Sequence, residues 1–207
     1  MLSRPRVRLL LLHAASVGFI AAACSAADPD VAPARAADAA MHCLPDAGGY
    51  LRAQLRGAIN ADLDWHDADI RCEGGARPDG KGLRVSIAGP LPAAAGEHAG
   101  RTLRFVFGID TAAAVTDGTA LATNLTAIVE GAAGSGDPEL FATRGNDKCT
   151  VDRMQRRDVA GAAPGAKDYR VDARGFCLGP ATSLDGEARL LVTTFDFAGR
   201  VSIDPEE

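Results

Sequence analysis

The cysteines carry the most reactive side chains in this sequence, and their number and spacing limit what they can do. The chain has five cysteines. None stands in a Cys-x-x-Cys pair, the spacing typical of zinc sites and redox-active dithiols. The four that lie beyond the N-terminal segment allow three disulfide pairings. We favour the two pairings that link neighbours along the chain, Cys43–Cys72 and Cys149–Cys177.

Polar groups are concentrated around the single tryptophan, where residues 62–69 read Asp-Leu-Asp-Trp-His-Asp-Ala-Asp. Carboxylates bind hard cations, but this spacing lacks the central glycine and the terminal glutamate of a calcium loop. In a strand, Asp62, Asp64 and His66 would share one face, opposite Trp65, Asp67 and Asp69. We take four of these residues as a candidate binding surface, with no metal ion or other cofactor: Asp64, Trp65, His66 and Asp67.

Groups for nucleophilic or acid–base catalysis are sparse. The sequence has no Gly-x-Ser-x-Gly elbow, and the histidines beyond the N-terminal segment are His42, His66 and His98. His98 lies in a stretch rich in glycine and alanine, where we expect it to be exposed to solvent. No residue is assigned a catalytic role.

Two further sets of charged residues have simple structural explanations. Asp110 and Asp196 could form a pair of catalytic carboxylates, but each follows an apolar strand pattern, so we expect both to form turns. Three arginines at 153, 156 and 157 alternate with Asp152 and Asp158. This pattern is typical of a salt-bridged strand surface, with an anion site as the alternative.

The N-terminal segment has the three parts of an export signal. Three arginines lie within its first eight residues, an apolar run covers residues 9–20, and small residues follow. The apolar run is shorter than the roughly 20 residues that a transmembrane helix needs. We therefore expect residues 1–23 to be a signal peptide that directs the chain out of the cytoplasm.

The end of this segment, Ala21-Ala22-Ala23-Cys24, resembles the lipobox of bacterial lipoproteins. The resemblance is confined to the leader, and it departs from the usual pattern in having alanine where leucine is preferred at position 21. It implies that Cys24 becomes the lipidated N-terminus, and Ser25 behind it implies sorting to the outer membrane, facing the periplasm. The alternative is cleavage after Ala27, which would release a soluble periplasmic or secreted protein.

The charge of the exported chain excludes some partners. Residues 1–23 contain three arginines and no acidic residue, so the remainder carries 19 basic and 27 acidic side chains, a net charge of −8. Binding to nucleic acid depends on clustered lysine and arginine, so no nucleic-acid partner is expected. Membrane contact is expected through the lipid alone.

The chain divides into a tether and one domain. Residues 24–40, the lipidated N-terminus and the stretch behind it, are rich in alanine, proline and aspartate without an apolar period, which predicts a disordered tether. Residues 41–207 are long enough for a single disulfide-bonded domain with its own core. Both possible fates of Cys24 leave this domain with four cysteines, which suits an oxidising compartment.

The apolar pattern predicts an α+β domain that is mostly β. Leu51, Leu55 and Ile59 recur at helical spacing behind Asp46, a possible cap, and predict one N-terminal helix. Beyond residue 62 the apolar period changes to two. Alternation over residues 83–88, 103–109, 121–129 and 169–173 predicts antiparallel strands in a sandwich or a closed sheet.

An internal two-fold repeat is also predicted. Residues 75–115 align with residues 161–201 without a gap, matching Arg84-Val85 with Arg170-Val171 and Gly100 with Gly186. The alignment also pairs Val106 with Val192 and Asp110 with Asp196. It predicts that each copy is a β-hairpin unit, with equivalent residues buried and an aspartate after each second strand.

Two classes of function are compatible with these features. The first is a non-catalytic cell-envelope lipoprotein that binds a protein or cell-wall partner, with an inhibitor or immunity protein against an envelope-degrading enzyme as one form. The second is a secreted or periplasmic enzyme with an unrecognised active site. Charge and compartment favour the first, because a negative domain attracts basic enzymes.

We predict that Cys24 carries the lipid. Mass spectrometry of the mature N-terminus should find a diacylglyceryl Cys24, and Cys24→Ser should move the protein from the membrane fraction to the soluble fraction, because it removes the acylated thiol. Ser25→Ala is the control and should stay membrane-bound. A mature chain that begins at Asp28 would show cleavage after Ala27 instead.

Overall fold

The computed structural model describes residues 43–112, 120–131, 137–160 and 167–203. The predicted signal peptide, Cys24, the tether and His42 lie outside these residues. The described chain forms eleven strands and two short 3-10 helices, Asp67–Asp69 and Ala93–His98. The strands are β1 Tyr50–Gly57, β2 Ala61–His66, β3 Arg71–Ala76, β4 Gly82–Pro90, β5 Thr102–Asp110, β6 Leu121–Glu130, β7 Glu139–Ala142, β8 Cys149–Asp158, β9 Lys167–Cys177, β10 Ala181–Ser183 and β11 Arg189–Ile203.

The N-terminal helix predicted behind Asp46 is wrong, because strand β1 occupies Tyr50–Gly57. Leu51, Ala53 and Leu55 are buried while the residues between them are exposed, which is the alternation of a strand. Leucines four residues apart fit one face of a helix and one face of a strand equally well. Pairing with β2 and β11 on its two edges holds β1 extended.

All strand pairs are antiparallel, as the apolar alternation predicted. The sheet runs in the order β2-β1-β11-β10-β7-β6-β5-β4-β3, and β9 and β8 provide a second connection between β11 and β6. Strand β11 is the longest at 15 residues. It is long because β1 pairs along one of its edges while β9 and β10 share the other.

Each end strand of the sheet packs against a strand near the opposite end. A Cβ atom at Gly74 of β3 would lie 2.8 Å from the carbonyl oxygen of Arg200, so the backbones of β3 and β11 are in close contact. The Trp65 ring of β2 lies on Gly89 of β4 and donates a 2.9 Å hydrogen bond to the Pro90 carbonyl. The sheet therefore curls around one hydrophobic core.

Aromatic rings connect opposite parts of this core. Phe107 of β5 packs on Phe195 and Phe197 of β11, with ring centroids 4.9 and 4.7 Å apart. Phe105 extends the stack towards Trp65, at 5.8 Å from Phe107 and 6.2 Å from Trp65. Such contacts contribute about 0.5–1.5 kcal/mol each beyond burial.

Both predicted disulfides are present, Cys43–Cys72 and Cys149–Cys177. The first joins the segment before β1 to β3. The second joins residues that pair directly in β8 and β9, and both of its cysteines are buried. Each bridge closes a local loop, which in the chain-entropy account stabilises the fold by about 3–4 kcal/mol.

The structure does not show the predicted repeat. Val85 and Val171 are both buried, and Gly100 and Gly186 both adopt positive φ before the next strand. The second strands are out of phase, however, because Val106 is half-buried on the outer face while Val192 is in the core. Val85 pairs with Phe107, whereas Val171 pairs with Gly199 instead of Thr193, the residue the alignment requires.

Gly89→Ala should destabilise the fold by about 1–3 kcal/mol through overpacking. The added Cβ would lie 2.6–2.8 Å from three indole carbons of Trp65, whose hydrogen bond to Pro90 opposes any shift. Urea unfolding followed by the fluorescence of the single tryptophan measures this loss. Gly75→Ala is the matched control on β3, where the nearest atom would be 3.5 Å away, and should be close to neutral. Equal losses in both variants would contradict the packing argument.

Candidate functional site

The candidate binding surface around the tryptophan is divided between the two faces of the sheet. Asp62, Asp64 and His66 point outwards and are exposed, as predicted. Trp65 is 4% exposed and packs in the core, so it has no open ring face. Only the outward members, Asp64 and His66, lie on a surface that a partner could reach.

Asp67 supports the fold and does not lie on the accessible surface. It is buried, and its carboxylate accepts hydrogen bonds from the backbone N–H groups of Leu44 and Gly49 at 3.1 and 2.9 Å. These bonds hold the segment before β1 beside the Cys43–Cys72 bridge. Charge-assisted bonds to backbone N–H groups are among the stronger hydrogen bonds in proteins.

The outward face of β8, β9, β11, β1 and β2 carries alternating charges, and we refer to it as the charged face. Strand register aligns four residues in a row across it: Asp64, Arg52, Asp196 and Arg174. Arg52 donates to Asp64 at 2.9 Å, and Arg174 donates to Asp152 of β8 at 3.4 Å. Opposite charges on adjacent strands stabilise the sheet by roughly 0.2–1 kcal/mol per pair.

A cleft of two adjoining depressions opens in the charged face. The larger has a volume of about 420 Å³ and the smaller about 180 Å³. Both are lined by Arg174 and Asp196, which therefore lie where the two depressions meet. The larger also contacts Gln54, Thr194 and Phe176, while the smaller contacts Tyr50, Arg153, Gln155 and Asp172.

Two β-bulges shape the larger depression. The register of β1 against β11 shifts between Gln54 and Leu55, and that of β8 against β9 shifts at Asp152. Gly175 lies between them, where a Cβ would be 2.0 Å from the Thr150 carbonyl oxygen. Bulges of this kind are frequent beside functional sites because they redirect side chains.

Asp196 and Tyr50 are joined at the centre of the cleft. The Tyr50 hydroxyl donates a 2.8 Å hydrogen bond to Asp196 Oδ1. Burial, together with this bond and the negative charge of Asp196, raises the pKa of Tyr50 to about 12. The Arg52 guanidinium lies 5.3 Å from the Tyr50 ring centroid and covers one face of that ring.

The neighbouring carboxylate, Asp172, is held by arginines. Arg170 donates to it through Nε and Nη2 at 2.9–3.0 Å, and Arg157 donates at 2.8 Å. Burial alone would raise the pKa of Asp172, but the hydrogen bonds from Arg170 and Arg157 outweigh it and lower the pKa. Asp172 therefore stays ionised and paired.

The arginines at 153, 156 and 157 have three different environments. Arg157 pairs with Asp172 on β9, Arg156 lies 4.6 Å from the centroid of the Tyr169 ring, and Arg153 lines the smaller depression. The predicted salt-bridged strand surface is therefore present at Arg157, although its partner lies on the adjacent strand.

Asp110 and Asp196 lie on different strands with different surroundings. Asp110 ends β5 and accepts a hydrogen bond from the Ala112 N–H at 3.1 Å, as expected of a turn residue. The prediction that Asp196 follows its strand is wrong, since it lies inside β11. Pairing with both β1 and β9 extends β11 past this position.

His98 is buried, which contradicts the expected exposure. Only 5% of the residue is accessible, and Nε2 lies 3.0 Å from Glu139 Oε2, while Arg101 also pairs with Glu139. Burial alone would raise the pKa of Glu139, but the hydrogen bonds from His98 and Arg101 outweigh it and lower the pKa. The cluster joins the connection between β4 and β5 to strand β7.

Within the described ranges, no set of three or more histidines, cysteines or carboxylates is grouped as a metal site would require. No helix among these residues is long and apolar enough to span a membrane. Comparison of the chain with protein families, with characterised proteins and with solved structures found no match.

The sequence patterns pointed to residues beside the cleft and missed its centre. Asp64 lines neither depression, and Arg153 lines the smaller one, whereas Arg52 was predicted on a helix and Asp196 in a turn. Tyr50 and Arg174 were not selected. The alternation in the sequence showed which polar residues of β9 point outwards. It did not show which residues of other strands lie beside them, because that depends on strand register.

One tyrosine should titrate near pH 12, and Tyr50→Phe should abolish this step. The pKa of Tyr50 in the folded protein lies above its ordinary value of 10.0. The contribution of protonated Tyr50 to the free energy of unfolding is therefore complete below about pH 10 and is lost as the pH rises through about 12. Tyrosinate absorbance measures the titration. Asp196→Asn should lower this pKa only in part, because burial is the larger cause. Tyr169→Phe is the control, and loss of the step in that variant would contradict the assignment.

Proposed function

We propose that this chain is a lipid-anchored binding protein of the bacterial cell envelope whose charged face recognises a protein partner. The observation that carries this proposal is the cleft across β8, β9, β11 and β1, where arginine, carboxylate and amide side chains surround two depressions. Arginine and aromatic side chains are frequent energetic anchors of protein interfaces. A surface of this composition suits recognition of a charged, structured partner.

The disulfides support a location outside the cytoplasm. Two bridges join neighbouring cysteines in a domain of ordinary size, and such bridges form and persist in oxidising compartments. Together with the export signal, they favour the periplasm. Acylation of Cys24 would hold the domain at the outer membrane, and the expected tether would let the charged face approach partners beyond the membrane surface.

The positions of the histidines favour binding over catalysis. His66 is exposed on β2 and does not line either depression, and His98 is buried beside Glu139. The residues that line the larger depression are mostly arginine, carboxylate and apolar groups. A secreted enzyme with an unrecognised site remains the alternative, and it would require a reactive centre elsewhere on the domain.

The charge of the exported chain favours a basic partner. Its net charge of −8 would attract a cationic protein over a distance of about one Debye length, near 8 Å at physiological salt. Electrostatic steering raises association rates more than it raises affinity. An inhibitor or immunity protein against a basic, envelope-degrading enzyme is the form of this function that the charge supports best.

Site-specific photo-crosslinking in the native bacterium tests the proposal. A photo-crosslinking amino acid replaces Thr194, an exposed residue in the larger depression, and in a second strain it replaces Glu97. Glu97 is the matched control, because it is exposed on the connection between β4 and β5 and lines neither depression. We expect a discrete protein adduct from position 194 and none from position 97, with mass spectrometry identifying a basic envelope protein.

Two outcomes would contradict the proposal. Adducts of equal yield from both positions would show that the contacts are non-specific. Adducts from position 194 that contain peptidoglycan fragments in place of a protein would assign the cleft to the cell wall. Repeating the experiment at high salt should reduce the yield, because screening weakens attraction between exposed charges.

A further inference from the structure

We propose that Asp196 is the docking point for a lysine or arginine side chain of the partner. This inference rests on the proposed binding function and names the chemical group that the cleft would bind. Asp196 lies where the two depressions meet, in the middle of strand β11. A basic side chain that entered either depression would approach its carboxylate.

Asp196 differs from the other carboxylates of the cleft in its partners. Asp62 pairs with Arg56 at 2.8 Å, Asp152 with Arg174 at 3.4 Å and Asp172 with Arg170 at 2.9 Å. Within the described chain, the hydrogen bond to Asp196 comes from the neutral Tyr50 hydroxyl. No basic side chain among the described residues makes a direct ion pair with Asp196, because Arg52 pairs with Asp64 and Arg174 with Asp152.

The arginines that flank Asp196 are directed to other carboxylates. Arg52 and Arg174 occupy the directly opposite positions on β1 and β9, yet Arg52 donates to Asp64 and Arg174 donates to Asp152. Tyr50 donates to Oδ1, which leaves Oδ2 as a further acceptor for a hydrogen bond. Asp196 is half-buried, and attraction between opposite charges is stronger at such a site than in bulk water because the effective dielectric constant is lower.

The larger depression also suits the stem of a basic side chain. Phe176 contributes apolar surface to its lining, and Asp196 provides the charged end. Lysine and arginine combine an apolar stem with a charged tip, so they can satisfy both parts at once. A guanidinium could in addition stack against the half-buried ring of Phe176.

A neutral sugar fits the same cleft less well. Sugars bind best where an aromatic ring offers an open face, but the Tyr50 ring is covered on one side by Arg52 and the Trp65 ring is buried. A sugar would also leave the charge of Asp196 without a counterion. The electrostatics therefore favour a cation, and a glycan is kept as a competing outcome of the test.

Isothermal titration of the mature, disulfide-bonded protein with N-acetylated, amidated tetralysine at low salt tests the inference. Asp196→Asn removes one negative charge, while its amide oxygen can still accept the Tyr50 hydrogen bond. We expect this variant to bind tetralysine about tenfold more weakly than the wild type, the loss typical of a partly buried charge pair. The N-acetylglucosamine tetramer is titrated in parallel as the neutral probe.

Glu187→Gln is the matched control. It changes the net charge by the same amount, and its side chain is exposed in the turn before β11, outside the residues that line the cleft. We expect its affinity for tetralysine to stay within about twofold of wild type, because only long-range attraction changes. Equal weakening in both variants would overturn the inference, as would unchanged binding in Asp196→Asn.

Tyr50→Phe provides a second variant in case Asp196→Asn does not fold. It keeps the carboxylate charged and removes the hydrogen bond that competes for it, so tetralysine should bind more tightly than to the wild type. Unchanged or weaker binding would overturn the inference. Sugar binding that depends on Asp196, without tetralysine binding, would also overturn it and assign the cleft to a glycan.

The crosslinking experiment separates this inference from the proposed function. If the adduct at position 194 persists in Asp196→Asn at full yield, the protein-binding function stands and the docking point is wrong. If tetralysine binding depends on Asp196 but position 194 gives no protein adduct, the carboxylate binds cations and the proposed function fails.

Discussion

The contact between β5 and β11 across the core is the interaction on which the rest of the structure depends. Phe107 packs between Phe195 and Phe197, and this stack holds together parts of one sheet that are distant along the strand order. A single sheet with an apolar face must either curl or cover that face with another element. Here the sheet curls, and aromatic side chains fill the space between its two sides. The contact of Trp65 with Gly89 and the disulfide between Cys43 and Cys72 then hold the end strands β2 and β3 in place.

The position of β11 also explains why the cleft lies where it does. With Phe195 and Phe197 fixed in the core, alternation directs Asp196 outwards between β1 and β9. Fixing the inner face of a strand therefore fixes the residue it presents to solvent. The bulges at Gln54 and Asp152 depart from this regular pattern, and they open the surface on both sides of Asp196. The same strand, β11, therefore supplies both the aromatic packing of the core and the carboxylate at the centre of the proposed binding cleft.

Most charges on the charged face are paired, but Asp196 is bonded to a neutral group. Most arginines and carboxylates of this face pair across strands, and exposed pairs of this kind contribute little each, about 0–1 kcal/mol. For the proposed function, these pairs matter because they hold the arginine side chains in place. The paired arginines then do not compete with a partner for Asp196. Asp196 is left with a neutral donor, Tyr50, whose raised pKa keeps its proton at any physiological pH. Among the described carboxylates that line the cleft, Asp196 is the one without a direct ion pair, which is the feature on which the proposed docking depends.

The sequence by itself determined the character of the domain and its covalent cross-links. Alternation located β4, β5, β6 and β9, since one-sided burial imposes a period of two, and the spacing of the cysteines favoured the two local bridges that the structure contains. It did not determine β1, because leucines at 51 and 55 satisfy helical and extended patterns alike and only pairing with β2 and β11 selects between them. It also did not assemble the candidate site. Arg52, Asp196 and Arg174 are neighbours only through the register of three strands, and register is decided by which apolar faces meet in the core. The tertiary structure alone determined which outward charges meet, and among the described residues it directs both flanking arginines to carboxylates other than Asp196.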